Sequence, residues 1–272
     1  MPELPEVETI KNDLQPKVVG CHITGVRLDW SGAVDTPSPE EFAKEVVGRR
    51  IESLSRRGKY LIFGLSDGKY LIVHLRMTGR LLYRGVGEEP DPYTRAVFSL
   101  DDGDELRFAD LRKFGRLWLV DECSGVLAKV GMEPFCDEFT TGALAAMLAD
   151  KTGPIKSTLL DQSLVAGVGN IYADEALFLA RIHPKLRGGS LSRQEVVFLH
   201  DAIRVVLAMG IENRGTTFAE YRDAFGEIGR QQETLRVHRR AGQPCPVCGA
   251  NIEKITVGGR GTYFCPNCQT IE

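Results

Sequence analysis

The chain has 272 residues, 43% of them hydrophobic and 26% charged, so it can bury the core of one large domain or two modest ones. Its formal net charge of −3 does not by itself indicate a nucleic-acid-binding protein. The sequence contains no run of 18 or more apolar residues, the length that a membrane-spanning helix needs. Because the acidic N-terminus is also unlike a signal peptide, we expect a globular cytoplasmic protein.

The basic residues are concentrated in two stretches. Residues 49–80 contain eight Lys and Arg against two acidic residues, and residues 230–260 contain six against two. An acidic chain can therefore still present a basic face to a nucleic acid. Residues 85–93, which include two prolines and three acids, are predicted to form a solvated loop outside any such face.

The first nine residues place unusual chemistry at the start of the chain. Removal of Met1 would give Pro2 a free secondary amine, and an α-amino group with a pKa of about 7.7–8.0 is partly unprotonated near neutral pH and can act as a nucleophile. Pro5 favours a helix start, which leaves Glu3 outside the helix and Glu6 on its edge, where both carboxylates could exchange protons near Pro2. Taken alone, these residues fit an ordinary amphipathic helix with an acidic first turn better.

The N-terminal half of the chain has the pattern of an antiparallel β-sandwich with flanking helices. Short β-branched and aromatic segments alternate with Gly and Asp turns up to about residue 130. The predicted strands are 22–28, 51–54, 60–65, 70–75, 96–100, 105–108 and 117–119. The first helix should bury Val7, Ile10 and Leu14 on one face and end at Pro16 or Gly20, and a second helix is predicted at 39–47.

From residue 140 onwards the hydrophobic period changes to that of helices. Helices are predicted at 138–150, 155–160, 171–180 and 193–211, which makes this a second domain joined through a hinge near residues 131–137. Residues 214–230 show little periodicity and contain three glycines, so a mobile loop is predicted there.

Four of the seven cysteines have the spacing of a zinc site. Cys245, Cys248, Cys265 and Cys268 form two Cys-x-x-Cys pairs separated by sixteen residues, a pattern typical of four-thiolate tetrahedral zinc. With four protein ligands the one zinc ion is structural. The intervening residues predict two short strands joined by the turn 258–261, which places Arg260 at a hairpin tip where a phosphate could approach. A solvated turn residue would fit Arg260 equally well.

Two further segments could bind DNA. Gly167, Gly169 and Asn170 precede an apolar-periodic helix, where free N–H groups could bind an anion, although such loops are also common helix caps. Their spacing matches no dinucleotide or Walker pattern, so no nucleotide cofactor is expected. In the segments 74–80 and 110–116, Met77 and Phe114 stand among arginines, as in wedges that unstack bases. In isolation these two fit core residues at strand ends better.

Together these segments resemble the formamidopyrimidine-DNA glycosylase family, in the same order and over essentially the whole chain. The opening Met-Pro-Glu-Leu-Pro-Glu-Val-Glu-Thr, the Gly-x-Gly-Asn loop and the four cysteines carry the resemblance. It implies an α+β multidomain fold with an N-terminal β-sandwich, a helix-two-turns-helix domain and a zinc-finger β-hairpin. The expected boundaries are 1–131 for the catalytic β-sandwich domain and 132–152 for the hinge and the start of the helical domain. The helix-two-turns-helix DNA-binding domain is expected at 153–231 and the zinc finger at 232–272.

The resemblance also implies roles for individual residues. Pro2 corresponds to the nucleophile and Glu3 to the general acid/base, with Glu6 and Lys59 in supporting catalytic positions. Lys156, Asn170 and Arg260 correspond to positions that hold phosphates around the flipped nucleotide. The resemblance also implies that Arg260 stabilises phosphate charge in the reaction. The residues that fill the gap left by a flipped nucleotide correspond to Met77, Arg112 and Phe114.

The implied function is excision of oxidised purines, chiefly 8-oxoguanine and formamidopyrimidines, from damaged double-stranded DNA by a bacterial monomer, followed by strand cleavage through β,δ-elimination. The sequence departs from the family at Arg214-Gly215-Thr216-Thr217, where a Gly-Gly pair is usual, and at Val237-His238-Arg239-Arg240, where Val-Tyr-Gly-Arg is common. Both departures bear on substrate preference, and neither affects a matched catalytic residue.

Two alternatives remain open at this point. A non-catalytic zinc-ribbon DNA-binding protein would need the basic stretches and the cysteines but no Pro2 amine. An endonuclease VIII-type glycosylase for oxidised pyrimidines would share the chemistry, but Leu4 and the set Met77, Arg112 and Phe114 argue against it.

Overall fold

A computed structural model describes residues 1–89 and 91–271. Packing divides the chain into two compact units: Met1–Ala128 with Ile211–Gln232, and Lys129–Gly210 with 233–272. Segment 211–232, which the sequence groups with the helices, thus makes its contacts within the first unit. Among the described residues no helix is both long and apolar enough to span a membrane.

The described residues of the first unit form two β-sheets and three α-helices. Its helices are α1 (Leu4–Val18), α2 (Pro39–Val46) and α3 (Ser124–Leu127), and its strands are β1 (Ile23–Leu28), β2 (Val34–Thr36), β3 (Ile51–Arg57), β4 (Tyr60–Leu65), β5 (Tyr70–His74), β6 (Gly79–Arg84), β7 (Thr94–Leu100), β8 (Glu105–Asp110) and β9 (Arg116–Val120). The sheet orders are β1-β7-β8-β6 and β2-β9-β5-β4-β3. The predicted sandwich is confirmed, but β2 and β6 were not predicted, and β2 pairs with β9 in parallel.

The core of the first unit contains side chains from both sheets and from α1 and α2. Alternation along β4 directs Leu61 and Phe63 into this core, while Ile62 joins a smaller cluster that includes residues of α3. The predicted apolar face of α1 is buried as expected. Pro16 does not end α1, because a proline near the C-terminus removes only one helical hydrogen bond and the burial of Val18 offsets that loss.

The described residues of the second unit form four α-helices and a β-hairpin. They are α4 (Thr141–Leu148), α5 (Ile155–Leu159), α6 (Asn170–Leu179), α7 (Arg193–Glu212), β10 (Glu253–Val257) and β11 (Arg260–Phe264). Helix α4 starts three residues later than predicted, because the Thr140 hydroxyl accepts a hydrogen bond from Ala143 N at 3.1 Å and caps the helix there. The β10–β11 hairpin is antiparallel, as predicted.

Candidate active site and nucleic-acid interface

The N-terminus of α1 places Pro2 next to two buried carboxylates. Glu3 and Glu6 are 2% and 1% exposed. Glu3 has an extended backbone before the first helical turn, and its N–H donates to Glu6 Oε2 at 2.8 Å. The other oxygen, Glu6 Oε1, accepts from Thr216 N at 2.7 Å. The Glu6 carboxylate is therefore fixed in position, and the Glu3 side chain takes part in the capping box at the start of α1, next to Pro2.

Lys59 lies in the turn between β3 and β4 and is 5% exposed. Arg56 ties this turn to α1, since it donates to Glu8 Oε2 at 2.6 Å and to Gly58 O at 3.0 Å. Burial alone would raise the pKa of Glu8, but hydrogen bonds and charge interactions with Arg56 and Lys11 lower it. The catalytic position expected of Lys59 is thus anchored to the helix that carries Glu6.

His74 is a residue that the sequence analysis did not select. It is buried, and burial together with the positive charges of Arg76 and Lys59 lowers its pKa to about 3. Its Nδ1 accepts from Arg76 N at 3.0 Å, which leaves the proton of the neutral ring on Nε2. A neutral hydrogen-bond donor therefore lies close to Lys59. The neighbouring basic residues were visible in the sequence, but the burial was not.

The low pKa of His74 predicts an acid-sensitive fold. Between pH 6.5 and pH 3 the unfolded chain binds a proton at this position and the folded chain does not, so acidification lowers the free energy of unfolding by up to about 1.4 kcal/mol per pH unit. His74→Gln should show a shallower loss of stability from pH 6.5 to pH 4.5 in urea unfolding, with the pH 8 curves as reference. Parallel pH dependences of the two proteins would contradict this assignment.

Met77, Arg112 and Phe114 come together at the ends of strands. Arg112 Nη1 lies 3.3 Å from Met77 Sδ, and its guanidinium stacks over the Phe114 ring at 4.7 Å. Met77 and Phe114 are 38% and 45% exposed, so the core interpretation of these two residues is wrong. An exposed apolar pair bridged by a cation is suited to contact bases.

Asp110 shapes the loop that carries Arg112 and Phe114. Its buried carboxylate accepts from Phe114 N and Gly115 N, both at 2.7 Å, and from Arg112 N at 3.2 Å, and it also bonds the hydroxyl of Thr78. One carboxylate thus joins the Met77 turn to the Phe114 loop. Its sequence signal is only an Asp before a turn, which is too common to single it out.

In the second unit, Lys156 of α5 is completely buried. Its Nζ lies 2.7 Å from Asp174 Oδ1 and donates to Gly261 O at 3.0 Å and to Thr262 Oγ1 at 2.8 Å. These bonds tie Lys156 to the start of β11. The phosphate contact expected of Lys156 stays a prediction.

Asn170, the first residue of α6, bonds the same strand. Its Nδ2 donates to Gly261 O at 3.0 Å, so Asn170 and Lys156 converge on one carbonyl beside Arg260. Within the described part of the chain, the buried Asn170 Oδ1 has no hydrogen-bond partner. The first turn of α6 thereby sets the position of Arg260.

The loop before α6 is organised by Gln162. Gly167 is buried and its N–H donates to Gln162 Oε1 at 3.0 Å, so this N–H is not free for an anion as the sequence suggested. Gln162 Nε2 donates to Val168 O at 2.7 Å. Gly169 is the N-cap of α6, the position expected of it. Gly167 therefore helps to shape the loop through this bond, and its predicted contact with DNA stays a prediction.

Arg260 is the first residue of β11 and pairs with Val257 across a two-residue turn. Gly258 and Gly259, with φ of 55° and 73°, form this turn, which is shorter than the four-residue turn predicted. Arg260 is exposed, and its side chain makes no ion pair or hydrogen bond to any residue that the structure describes. It is therefore available for a phosphate.

The four cysteines form one cluster. Their sulfur atoms all lie within 4.8 Å of one another, with 3.9 Å between Cys245 and Cys268 and 3.4 Å between Cys248 and Cys265. A tetrahedral zinc with Zn–S bonds of about 2.3 Å requires sulfur separations of about 3.8 Å, so the residues fit the metal. The cluster holds one structural zinc, as the sequence predicted.

The surroundings of the cluster link it to α6. Phe178 packs with Val237, Cys245, Ile252 and Cys265 in a small apolar core. Asp174 and Glu175, which the sequence analysis did not select, add polar links. Tyr263 N donates to Asp174, and the N–H groups of residues 236–238 donate to Glu175.

Comparison with known protein families divides the chain into three matched segments. Residues 1–117 match the formamidopyrimidine-DNA glycosylase N-terminal domain, residues 130–221 match the H2TH domain of the same glycosylase, and residues 242–271 match the zinc finger found in FPG and IleRS. These matches follow the order predicted for the sandwich, the helical domain and the zinc finger.

Similar proteins cover the whole chain. The formamidopyrimidine-DNA glycosylase of Herpetosiphon aurantiacus is 50% identical, over 99% of this chain and 100% of that protein, and that of Chloroflexus aggregans is 48% identical over 100% and 99%. Lactococcus lactis Fpg bound to abasic-site DNA has 38% identity and a TM-score of 0.92, over 99% of this chain and 100% of that one. Its G226P mutant bound to Fapy-dG DNA gives a TM-score of 0.93 with the same identity and coverage.

Proposed function

We propose, from the premise that this chain belongs to the formamidopyrimidine-DNA glycosylase family, that it excises oxidised purines from double-stranded DNA and then cuts the strand. Membership itself makes the chain a DNA glycosylase acting on damaged bases. The proposed preference for 8-oxoguanine and formamidopyrimidines goes further than membership. We also propose that it acts as a monomer on the DNA of a bacterial cytoplasm.

The exposed cluster of Met77, Arg112 and Phe114 is the observation that supports base extrusion. Large apolar side chains are exposed here on two loops that Asp110 holds together, so their geometry does not depend on core packing. Extruding a base from a duplex costs a few kcal/mol of lost stacking. Side chains inserted into the gap replace part of that stacking. Arg112 then faces the base left without its partner.

Excision follows from nucleophilic attack by Pro2, once Met1 has been removed. The Pro2 nitrogen bonds to the sugar C1′ as the bond from C1′ to the ring oxygen breaks, and Glu3 gives its proton to that oxygen, which opens the ring. The bond from C1′ to the base then breaks, the base leaves with the proton that the Pro2 nitrogen carried, and an iminium remains between Pro2 and C1′. Glu6 holds the Glu3 backbone in place for this transfer.

Strand cleavage uses the same iminium. Loss of a proton from C2′ expels the 3′ phosphate, and a second elimination expels the 5′ phosphate, after which water releases the sugar remnant from Pro2. Lys59 and Arg260 stabilise the charge of the leaving phosphates, and the neutral Nε2–H of His74 adds a donor near Lys59. The four-cysteine zinc takes no part in these steps, because all its coordination positions are filled by protein.

A panel of duplexes in the presence of borohydride tests the proposed function. Duplexes containing 8-oxoguanine, a formamidopyrimidine, an oxidised pyrimidine or no lesion are incubated with the protein, and covalent complexes are separated on denaturing gels. We expect trapping with the two purine lesions and none without a lesion. Binding without trapping would favour a non-catalytic zinc-ribbon protein, and preferred trapping on the oxidised pyrimidine would favour an endonuclease VIII-type enzyme.

Arg260→Ala is expected to weaken binding to an undamaged duplex and to lower the slope of log K against log salt by about 1, because one phosphate contact is lost. Fluorescence anisotropy at several salt concentrations measures both quantities. Lys44→Ala removes an exposed positive charge outside the candidate residues and is the matched control. A slope unchanged from that of the wild type would place Arg260 outside the interface.

A further inference from the structure

Arg214 adopts a backbone conformation that favours glycine. Its φ is 58°, and the following Gly215 has a φ of 80°. The left-handed region costs an L-residue about 1–2 kcal/mol relative to the right-handed one. The family usually has glycine at both positions of this pair, and glycine would adopt both conformations without strain. The contacts of the Arg214 side chain must therefore offset this backbone strain.

The guanidinium of Arg214 joins two carboxylates from different parts of the first unit. Its Nη2 donates to Asp13 Oδ2 and to Asp223 Oδ2, both at 2.6 Å, and its Nε donates to Asp223 Oδ2 at 3.2 Å. Asp13 lies on α1, and Asp223 lies nine residues beyond Arg214 in the segment without helix or strand. Both carboxylates are buried, so removal of the guanidinium would leave two uncompensated charges.

Segment 214–230 is also bonded to strand β6 of the same unit at two places. Arg80 of β6 pairs with Glu220 at 2.5 Å and donates to its carbonyl at 2.7 Å, and Tyr83 N donates to Ala224 O at 2.8 Å. Asp223 also accepts from Phe225 N and Glu227 N through its other oxygen. Segment 214–230 therefore lacks regular structure, as predicted, yet its backbone is tied to α1 and β6.

Contacts from Arg214 lead directly to the candidate catalytic carboxylates. The Tyr221 hydroxyl donates to Arg214 O at 3.1 Å, and Thr216 N, two residues beyond Arg214, donates to Glu6 Oε1 at 2.7 Å. Gly215 lies so close to Glu6 that an added Cβ would be 2.7 Å from Glu6 Cγ. Glu6 in turn accepts the N–H of Glu3.

We propose that Arg214 is a positioning residue, which clamps segment 214–230 onto α1 and, through Thr216 N, fixes the Glu6 carboxylate that holds Glu3. This proposal rests on the proposed function, since it assigns Glu3 a role in excision. With the clamp closed, Glu6 Oε1 is occupied by Thr216 and Glu6 Oε2 by Glu3. With the clamp open, Glu6 can rotate and Glu3 loses the bond that orients its backbone.

Arg214→Gly is the decisive variant, because it restores the usual family residue, relieves the backbone strain and removes only the clamp. We expect faster hydrogen exchange at the Thr216 amide and a loss of single-turnover excision of 8-oxoguanine of between about tenfold and about a hundredfold, as a misplaced catalytic group produces. Affinity for undamaged duplex should not change. Arg214→Lys, which keeps the charge, should restore part of the protection of the Thr216 amide and part of the excision rate.

Arg222→Ala is the matched control within the segment, since among the described residues Arg222 donates only to the nearby carbonyls of Ala219 and Tyr221. It should leave exchange at Thr216 and excision unchanged. Should Arg214→Gly fail to fold, Asp13→Asn opens the α1 side of the clamp while keeping the shape of the side chain. Asp13→Asn should also speed exchange at the Thr216 amide and slow excision, each by less than Arg214→Gly does.

Unchanged excision by folded Arg214→Gly would overturn the proposal, even with faster exchange at Thr216, because Arg214 would then serve stability alone. Unchanged exchange at Thr216 would overturn it as well. A wild-type protein that releases no damaged base would refute the proposed function instead. The clamp would then be judged by the exchange measurement, which needs no substrate.

Discussion

Cys265→Ser is expected to lose the zinc ion and, with it, most of the binding to lesion-containing DNA. A structural zinc contributes about 10–16 kcal/mol in isolated zinc fingers, and the apolar core around this cluster contains few residues. Without the metal, the bonds of the hairpin to Lys156, Asn170 and Asp174 remain, but the cluster that fixes its base is lost. Arg260 would then no longer be presented in one position.

Elemental analysis and anisotropy with an 8-oxoguanine duplex measure the two losses in the same preparation. Cys136→Ser changes a cysteine outside the cluster and should keep one zinc per chain and wild-type affinity. Retained zinc in Cys265→Ser would contradict a four-thiolate site. Wild-type protein with full activity and no zinc would contradict the structural role of the metal.

The elements that the sequence predicted well are those with a strong local pattern. Strand β4 has the predicted bounds, because its apolar residues are flanked by the turns at Gly58 and Asp67. Strand β2 has three residues and pairs in parallel with β9, so its existence depends on a partner about eighty residues away. Strand β6 begins at Gly79, within segment 74–80, whose arginines around Met77 indicated a wedge and not a strand.

Burial of side chains at strand ends and helix starts could not be derived from local sequence. Met77 and Phe114 look like core residues, yet Asp110 holds their loops away from the core. Lys156 looks like a surface cation, yet Asp174 and the hairpin residues 261–262, more than a hundred positions along the chain, enclose it. In each case long-range contacts, which no periodicity records, determine the exposure.

The contacts of Arg214 likewise could not be derived from local sequence. The sequence marked Arg214 as a departure from the family pattern but could not give it a partner, because Asp13 is 201 residues earlier in the chain. The lack of periodicity in 214–230 correctly predicted the absence of helix and strand. It gave no information on the bonds to Asp13, Glu6 and Arg80 that hold the segment.

Protein whose terminal amine is blocked is expected to lose at least about a hundredfold in borohydride trapping and strand cleavage, because the proposed nucleophile is missing. Blocking is achieved by retaining Met1 or by adding an N-terminal tag, and the same tag at the C-terminus is the control. Binding to the lesion-containing duplex should persist in the blocked protein, since Asn170 and Arg260 lie far from the terminus in the chain. Equal trapping by blocked and unblocked protein would exclude Pro2.

Glu3→Gln separates proton transfer from attack. The amide keeps the size of the side chain but cannot transfer the proton, so base release should slow by about 10²–10⁴-fold while lesion binding stays near that of the wild type. The backbone N–H of residue 3 still donates to Glu6, so the start of α1 should be unchanged. A wild-type rate of base release in Glu3→Gln would assign the proton transfer to another group.

Lys59 is the competing nucleophile, because it is a buried primary amine in a basic segment close to His74. Peptide mapping of the borohydride-trapped adduct distinguishes the two amines. We expect the sugar on the N-terminal peptide, bonded to Pro2, since that amine is partly unprotonated at neutral pH without any shift of its pKa. Sugar on the peptide containing Lys59, with Pro2 unmodified, would show that the proposed mechanism is wrong and leave Pro2 as a structural neighbour of Glu3.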